Sequence, residues 1–321
     1  MIETMTLSQL KDYRGRMEVP EDFAEFWKKA VSETDIPSDF RLDKQDFNLA
    51  LVDCFELRFS CQATAEVYAK CIVPKTQAPH PVIFYFHGYQ GQGPDWSEMF
   101  KFTAAGYAVV CMDVRGQSGY STDASSFKGN TVKGHIIRGA IQGPEHLFFK
   151  EIYLDLYRLI NLVSTFDWAD QAQLYTYGAS QGGALALVAA ALNPQIKQTV
   201  AIYPFLSDFK RVLELGDTSE AYNELFRYFK FHDPFHETEA QLLETLSYID
   251  VKNFAHLIQG QVKMITGMQD DVCPPSTQFA IYNRITSPKE LKIMPEYNHE
   301  AMNVKVNDLV YNWLTQARIA L

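Results

Sequence analysis

The chain has 321 residues, of which 47% are hydrophobic and 21% are charged, a composition typical of soluble globular proteins and unlike that of a disordered or fibrous chain. Its 29 Lys and Arg residues against 39 Asp and Glu residues give a formal net charge of −10, and there is no long basic run, so nucleic acid is not an expected partner. At roughly 100 to 200 residues per domain, the length allows one large or two small domains.

The cysteines and the distribution of apolar residues bear on the compartment of the protein. The cysteines are odd in number and lack a paired C-x-x-C spacing, which predicts neither a disulfide framework nor a zinc site. No stretch approaches the roughly 18 apolar residues that a membrane span needs, and the start of the chain has no apolar signal region. We therefore expect a cytoplasmic protein without a membrane partner. The cysteines are Cys54, Cys61, Cys71, Cys111 and Cys273.

The N-terminal part predicts an arm followed by antiparallel strands. The arm, residues 1–40, contains a helix over residues 21–31, where aromatic side chains recur at helical spacing. Alternating and β-branched segments (DFNLALV, CFELRFSC and AEVYAKCIVP) follow between residues 46 and 74. These segments predict two or three antiparallel strands.

Beyond residue 80, short apolar runs alternate with helical patterns, which is typical of buried parallel strands in an α/β sheet. Gly and Pro residues are spread singly rather than gathered in a linker, so we predict one continuous α/β domain over residues 1–321. Its sheet is predicted to be mostly parallel, twisted and covered by helices on both faces. The predicted strands are 82–86, 107–112, 174–177, 199–203, 262–266 and 291–294.

Three helices are predicted from the spacing of apolar residues. Residues 147–166 carry an apolar stripe, residues 183–192 are apolar on all sides, and residues 304–319 form an amphipathic pattern with Val310 and Trp313 on the apolar side. The segment 205–256 departs from the alternation with aromatic-rich helical pieces (FKRVLEL, EAYNELFRYFKF and EAQLLETLSYI), and we interpret it as an insertion between two core strands. Such a segment is often a lid or an oligomer surface, although packing alone could account for its apolar residues.

The most informative motif is GASQGG at residues 178–183, between a predicted strand and a predicted helix. G-x-S-x-G in this context is typical of a nucleophile elbow, in which a strained turn exposes the serine hydroxyl and the glycines avoid clashes with the adjoining strand and helix. Ser180 is therefore the candidate nucleophile. The alternative is a glycine-rich turn with a purely structural use.

A serine hydroxyl needs a base and an orienting carboxylate, which follow it in the chain order Ser, Asp or Glu, His on this kind of fold. The loop after the predicted strand 262–266 carries Asp270 and Asp271, and the loop after the next strand carries His299. Of the eight histidines, only His299 occupies that place. The order does not separate Asp270 from Asp271, since an Asp after a strand is often a turn or helix-capping residue.

An oxyanion hole requires two backbone N–H groups aimed at the tetrahedral intermediate. One is expected from Gln181, the residue after the nucleophile, and the other from Tyr89 in the FHGY segment that ends the strand at residues 82–86. A plain glycine turn is the alternative for FHGY.

Other motifs predict no metal or cofactor. His232 and His236 are four positions apart, as metal ligands on a helix would be, but Pro234 interrupts that helix. GQGPD at residues 91–95 matches neither a phosphate-binding loop nor a dinucleotide fingerprint. Cys273 has no base placed to form a thiolate, so we assign it to packing.

Several runs together resemble carbohydrate esterase family 7, the acetyl xylan esterases and cephalosporin C deacetylases of the α/β-hydrolase superfamily. The likeness extends from about Pro20 to the C-terminus. It includes HGY at 87–89, Asp95 with Trp96, and Asp155 with Arg158 in matching positions. The runs that carry it are DVRGQSG at 113–119, GASQGGAL at 178–185, GMQDDVCPPSTQFAIYN at 267–283 and NHE at 298–300.

The resemblance implies Ser180 as nucleophile and His299 as base, and it selects Asp270 rather than Asp271 as the carboxylate. It also implies that Tyr89 and Gln181 form the oxyanion hole, with Tyr89 touching the substrate. That part of the family pattern agrees with the reading of the FHGY and GASQGG segments.

The resemblance further implies a ring-like hexamer and a narrow site for small acyl groups such as acetate. The sequence departs from the family pattern at two places: Ala179 stands where glycine is commoner, and Ala301 with Met302 replace a glycine run after His-Glu, at the rim of the pocket. The first departure is compatible with G-x-S-x-G.

The predicted activity is the removal of acetyl groups from O-acetylated sugars, short xylo-oligosaccharides and cephalosporin C-type esters through an acyl-enzyme. One alternative is a hydrolase of the same fold that acts on other acyl esters or peptides. Another is a catalytically silent binding protein that retains the fold.

Overall fold

The computed structural model describes residues 3–61, 64–128, 134–216, 219–316 and 319. Within these residues nine strands form one sheet, in the order β1-β2-β3-β5-β4-β6-β7-β8-β9. The pairs β1–β2, β2–β3 and β3–β5 are antiparallel, and the remaining neighbours are parallel. The strands are β1 (Phe40–Gln45), β2 (Val52–Cys61), β3 (Ala65–Pro74), β4 (His80–Phe86), β5 (Ala108–Met112), β6 (Ala169–Ala179), β7 (Ile196–Ile202), β8 (Gln261–Gly267) and β9 (Lys289–Met294).

Helices cover both faces of this sheet, so the predicted α/β-hydrolase fold is confirmed. One apolar core lies under α2, α4, α5 and the helices between β7 and β8, and the other lies under α3 and α11. The α-helices are α1 (Leu7–Asp12), α2 (Phe23–Ser32), α3 (Trp96–Thr103), α4 (Phe148–Val163), α5 (Gln181–Leu192), α6 (Phe209–Leu215), α7 (Asn223–Phe231), α8 (Glu239–Ser247), α9 (Val251–Phe254), α10 (Pro275–Arg284) and α11 (Val306–Thr315).

The first strand differs from its prediction. Residues 46–51 belong to no strand, and β1 lies earlier in the chain, over Phe40–Gln45. Its sequence FRLDKQ is mostly exposed and has no apolar alternation, because β1 is an edge strand held to β2 by backbone hydrogen bonds. A hydrophobic pattern therefore could not reveal it.

The predicted helices agree with the structure apart from their ends. The all-apolar helix is α5, which is buried along its whole length and packs on β6 and β7. The predicted C-terminal helix is α11, whose Val310 and Trp313 are buried; it ends at Thr315, and residues 317–318 of the prediction lie outside the described residues.

The segment between β7 and β8 holds α6, α7, α8 and α9, where the insertion was predicted. Its inner face joins the larger apolar core, through side chains such as Phe205, Tyr222 and Leu246. The five cysteines are buried and carry free thiols. None of the helices in the described part of the chain is long and apolar enough to span a membrane.

Candidate active site

Ser180 stands in a sharp turn between β6 and α5. Its backbone has φ 57° and ψ −123°, a conformation that side chains other than glycine rarely adopt, and its N–H donates to the Ile202 carbonyl of β7 at 2.9 Å. A Cβ atom on Gly178 would lie 2.3 Å from the backbone of Gly182, and one on Gly182 would lie 1.9 Å from the Phe86 carbonyl oxygen. Both glycines are therefore required for the close approach of β6, α5 and β4.

His299 lies between Ser180 and Asp270. Its Nε2 is 3.1 Å from the Ser180 Oγ, and its Nδ1 is 2.9 Å from Oδ2 of Asp270. The three side chains come from the loops that follow β6, β8 and β9, whose carboxyl ends meet at one edge of the sheet. The structure thus brings the three predicted residues into one hydrogen-bonded line.

The two candidate acids differ in their surroundings. Asp270 is 1% exposed, and its Oδ1 accepts the backbone N–H groups of Val272 at 3.0 Å and Cys273 at 2.7 Å. Asp271 is exposed, and its backbone N–H donates to Oδ1 of Asn298 in the histidine loop. Asp270 is therefore the one that faces the imidazole.

Gln278 of α10 is a neighbour of Asp270 that the sequence reasoning missed. It is fully buried, and its Nε2 lies 3.2 Å from Oδ2 of Asp270. The sequence gives no signal of this contact, because the direction of the Gln278 side chain depends on how α10 packs.

The loop after β4 is held by a neutral histidine. Nε2 of His87 accepts the Val114 N–H at 2.9 Å, so its proton lies on Nδ1, which donates to the Gly88 carbonyl at 2.8 Å. Burial lowers the pKa of His87, which favours this neutral form. The contact fixes the backbone just before Tyr89.

Gln117 links this loop to the start of α5. Its amide forms a reciprocal pair with that of Gln181, at 2.7 and 3.1 Å, and its Oε1 accepts the Gln90 N–H at 2.8 Å. Because Gly182 also packs on the end of β4, the residues predicted to donate to an oxyanion lie on adjoining segments.

The Tyr89 side chain turns toward the insertion. Its hydroxyl donates to Oε1 of Glu224 at 2.6 Å and accepts the His135 N–H at 2.7 Å. Neither Glu224 nor His135 was singled out from the sequence.

The DVRGQSG run at residues 113–119 also contains one partner of a buried ion pair, Arg115. Arg115 is 0% exposed and donates to both carboxylate oxygens of Asp155, at 2.6 and 2.7 Å, and Arg158 adds a contact of 3.1 Å. This bidentate pair anchors the loop of Gln117 to α4.

Two other residues lie close to the predicted site in the sequence: Cys273, which was assigned to packing, and Glu300, which follows His299. The Cys273 thiol is fully buried, and burial raises its pKa well above the ordinary value, which opposes thiolate formation. Glu300 precedes α11, which begins at Val306. In the described ranges, no group of three or more His, Cys, Asp or Glu side chains is arranged to hold a metal ion.

Sequence comparison places these observations in a family. Residues 1–317 match the profile of the acetyl xylan esterase family. A curated relative, acetyl esterase Axe7A from Xylanibacter ruminicola, is 30% identical over 289 residues, which cover 87% of this chain and 63% of that protein. The chain therefore spans less than two thirds of that relative.

Two solved structures are similar over nearly their whole length. Acetyl xylan esterase 1 from Thermoanaerobacterium sp. JW/SL YS485 has 42% identity and a TM-score of 0.94, with 97% of this chain and 98% of that chain covered. An acetyl xylan esterase from Paenibacillus sp. R4 has 30% identity and a TM-score of 0.91, with 98% and 100% covered.

Proposed function

Because the chain belongs to the acetyl xylan esterase family, we propose that it is a serine esterase that removes acetyl groups from O-acetylated sugars and short xylo-oligosaccharides. The observation that carries this proposal is the line of contacts from Ser180 through His299 to Asp270, at 3.1 and 2.9 Å. A hydroxyl bonded to an imidazole that a buried carboxylate orients is the arrangement that acyl transfer requires.

In the first step, the Ser180 Oγ attacks the acetyl carbonyl carbon while Nε2 of His299 takes the hydroxyl proton. Asp270 accepts the Nδ1–H, so the lone pair of Nε2 faces the serine, and the carboxylate stabilises the imidazolium that forms. The tetrahedral intermediate then expels the sugar oxygen, which receives the proton from His299. The products of this step are the free sugar hydroxyl and an acetyl-serine.

The backbone N–H groups of Tyr89 and Gln181 are assigned to stabilise the negatively charged oxygen of the tetrahedral intermediate. The amide pair of Gln117 and Gln181 and the packing of Gly182 on β4 support this assignment, because they fix both segments before the substrate arrives. Preorganised donors of this kind stabilise a transition state without rearranging during the reaction.

Deacylation repeats the steps with water in place of the sugar. His299 takes a proton from water, whose oxygen attacks the acetyl carbon, and the Ser180 oxygen leaves with the proton returned by His299. Acetate is released and the hydroxyl is restored.

Finer assignments rest on the resemblance and on composition. Cephalosporin C-type esters are a further substrate class, since their acetoxymethyl group presents the same acetyl ester. A hexameric ring is the proposed assembly, to be tested by light scattering, in which a monomer would contradict it. The five free, buried cysteines support a reducing, cytoplasmic location.

The decisive experiment measures acetate release from 4-nitrophenyl acetate and from acetylated xylo-oligosaccharides. We expect Ser180→Ala to lose at least ~10³-fold in kcat, because no nucleophile remains at the elbow. The matched control is Ser38→Ala, an exposed serine before β1, which should keep wild-type turnover. A Ser180→Ala enzyme that turns over like wild type would refute the mechanism.

Two further measurements address the alternatives. A chain-length series from acetate to octanoate esters should fall steeply, and flat activity would favour a hydrolase of longer acyl chains or peptides. A fluorophosphonate probe should label Ser180, whereas a silent binding protein would not react.

A further inference from the structure

We propose that Glu224, on α7 of the insertion, is a positioning residue that holds Tyr89 and thereby aims the Tyr89 N–H at the oxyanion. This inference rests on the proposed function and adds a residue to it from a part of the chain outside the triad loops. The insertion would then serve catalysis through one buried carboxylate.

The first support is the set of donors around this carboxylate. Glu224 is 3% exposed; its Oε1 accepts the Tyr89 hydroxyl at 2.6 Å and the His135 N–H at 3.0 Å, and its Oε2 accepts the Ile137 N–H at 3.2 Å. Burial raises the pKa of Glu224, while these hydrogen bonds act in the opposite direction. A buried carboxylate is retained only where such donors compensate its lost hydration.

The backbone beside Glu224 is shaped to admit it. Gly134 has φ +86°, and a Cβ atom there would lie 2.0 Å from Oε1 of Glu224. The chain from Gly134 to Ile137 therefore wraps the carboxylate at contact distance, with its N–H groups pointing inward.

The second support is that the Tyr89 side chain is fixed from several sides. Its hydroxyl is bonded to Glu224 and His135, and its ring lies 5.2 Å from that of Phe205 and 6.4 Å from that of Phe149. Since the hydroxyl is occupied, Tyr89 offers the substrate its backbone N–H and its ring. A rigid side chain restricts the same residue's N–H direction.

The contacts around Tyr89 also extend to Ser180. The Phe205 ring packs on Tyr89, and the Phe205 N–H donates a hydrogen bond to the Ser180 carbonyl at 3.1 Å. Glu224, Tyr89, Phe205 and Ser180 thus form a continuous chain of contacts. Displacing Tyr89 would change the distance between an oxyanion donor and the reacting oxygen.

The expected effect follows from the sensitivity of oxyanion holes to geometry. Loss of one donor lowers kcat by about 10²- to 10³-fold, because the interaction strengthens as charge develops. Glu224→Ala leaves the Tyr89 hydroxyl and two N–H groups without their acceptor, so we expect kcat to fall about 10²-fold. KM should change less than about threefold, since ground-state binding does not use this donor fully.

Glu224→Gln separates charge from shape. Its carbonyl oxygen can still accept from Tyr89 and His135, but its amide group opposes the Ile137 N–H, so we expect about a tenfold fall in kcat. Tyr89→Phe removes the Tyr89–Glu224 hydrogen bond, which Glu224→Ala also removes, and kcat should fall about tenfold. The double variant, Glu224→Ala with Tyr89→Phe, should lose no more than Glu224→Ala alone, because the hydrogen bond lost in Tyr89→Phe is already absent from Glu224→Ala.

The experiment measures kcat and KM with 4-nitrophenyl acetate and the inhibition constant of a trifluoromethyl ketone, which adds to a serine hydroxyl as an oxyanion-bearing hemiketal. Wild type, Glu224→Ala, Glu224→Gln, Tyr89→Phe and the double variant are compared, with exposed Glu237→Gln as the charge-matched control. We expect the inhibition constant to rise in proportion to the loss of kcat/KM. A partly unfolded enzyme would lose apparent kcat with an unchanged inhibition constant.

Three results would overturn the proposal. They are wild-type kcat in Glu224→Gln and Glu224→Ala, an unchanged inhibition constant despite lower kcat, and multiplicative losses in the double variant. If Glu224→Ala does not fold, Glu224→Gln and Tyr89→Phe still decide the question. An inactive wild type would instead refute the proposed esterase function, which keeps the two failures distinct.

Discussion

Two buried carboxylates, Asp270 and Glu224, are linked to Ser180 through different residues, and their partners differ in kind. Asp270 accepts from Val272, Cys273 and Gln278, which are two, three and eight positions away, and from His299. The Glu224 partners lie 87 to 135 positions earlier in the chain. The Asp270 pocket is built by one loop and its helix, whereas the Glu224 pocket exists only when three distant segments have packed.

This difference decides how each carboxylate can act. The Asp270 Oδ2 faces the His299 imidazole, and in the proposed mechanism its charge takes part in every proton transfer. Glu224 touches no triad residue and works through the shape of the Tyr89 loop. Substitutions should therefore affect the two sites in different measurable quantities.

The largest effect is expected for Asp270→Asn. The amide would hold His299 in the wrong tautomer, and we expect kcat to fall about 10⁴-fold, equivalent to ~5 kcal/mol of transition-state stabilisation. Steady-state assays with 4-nitrophenyl acetate measure it. The matched control is Asp271→Asn, which should stay within several-fold of wild type; a greater loss in that variant would move the catalytic acid to Asp271.

A third buried carboxylate, Asp155, differs from the other two because arginine side chains compensate its charge. Arg115→Met would leave Asp155 with Arg158 as its cationic partner among the described residues, and it would also remove the 3.7 Å contact of Arg115 with Asp123. Removing one partner of a buried pair costs about 3 to 5 kcal/mol. We expect the urea midpoint to fall accordingly. An unfolding free energy within about 1 kcal/mol of wild type would show that Arg158 already satisfies Asp155, and that the bidentate contact adds little.

The contrast also explains what could be predicted from the sequence. Apolar runs revealed the buried strands, because a strand that is buried on both faces carries apolar side chains at consecutive positions. The edge strand β1 was missed, because its pairing uses the backbone and its side chains FRLDKQ are mostly exposed. The order of Ser180, Asp270 and His299 follows the order of the strands, so topology alone brings them together.

The parts that were missed depend on packing between distant segments. Nothing around Glu224 in the sequence EAYNELFRYFKF distinguishes it from the solvated acids of an amphipathic helix. The proposed role of Glu224 depends on Gly134, which leaves space for the carboxylate, and on Tyr89, whose hydroxyl direction is set by tertiary contacts.

His135 is predicted to make the Glu224 side of the site sensitive to acid. Burial, together with nearby Arg138, lowers the pKa of His135 from 6.5 to about 4, so between those pH values the unfolded chain binds the extra proton. Stability is therefore present above pH 6.5 and is lost as pH falls toward 4. The full contribution is about 3 kcal/mol.

His135→Phe keeps a ring against Phe148 and removes this titration. Urea unfolding at pH 7 and pH 4.5 measures the change in unfolding free energy for both proteins. We expect the variant to lose less stability on acidification than wild type, by a large part of that 3 kcal/mol. Since buried His87 titrates in both proteins, the difference isolates His135. Equal losses would show that His135 does not carry the acid sensitivity.

The smallest effect is expected for Gln278→Leu, beside Asp270. The change removes the amide group that donates to Asp270 and to the Cys273 carbonyl, and it also removes a buried Oε1 that has no hydrogen-bond partner among the described residues. Because these two changes oppose each other, the unfolding free energy should stay within about 1 kcal/mol of wild type. We expect kcat to fall about fivefold, since Val272, Cys273 and His299 still hold Asp270. Exposed Gln259→Leu is the control, and a loss in Gln278→Leu as large as that of Glu224→Ala would show that local contacts do not suffice to orient the acid.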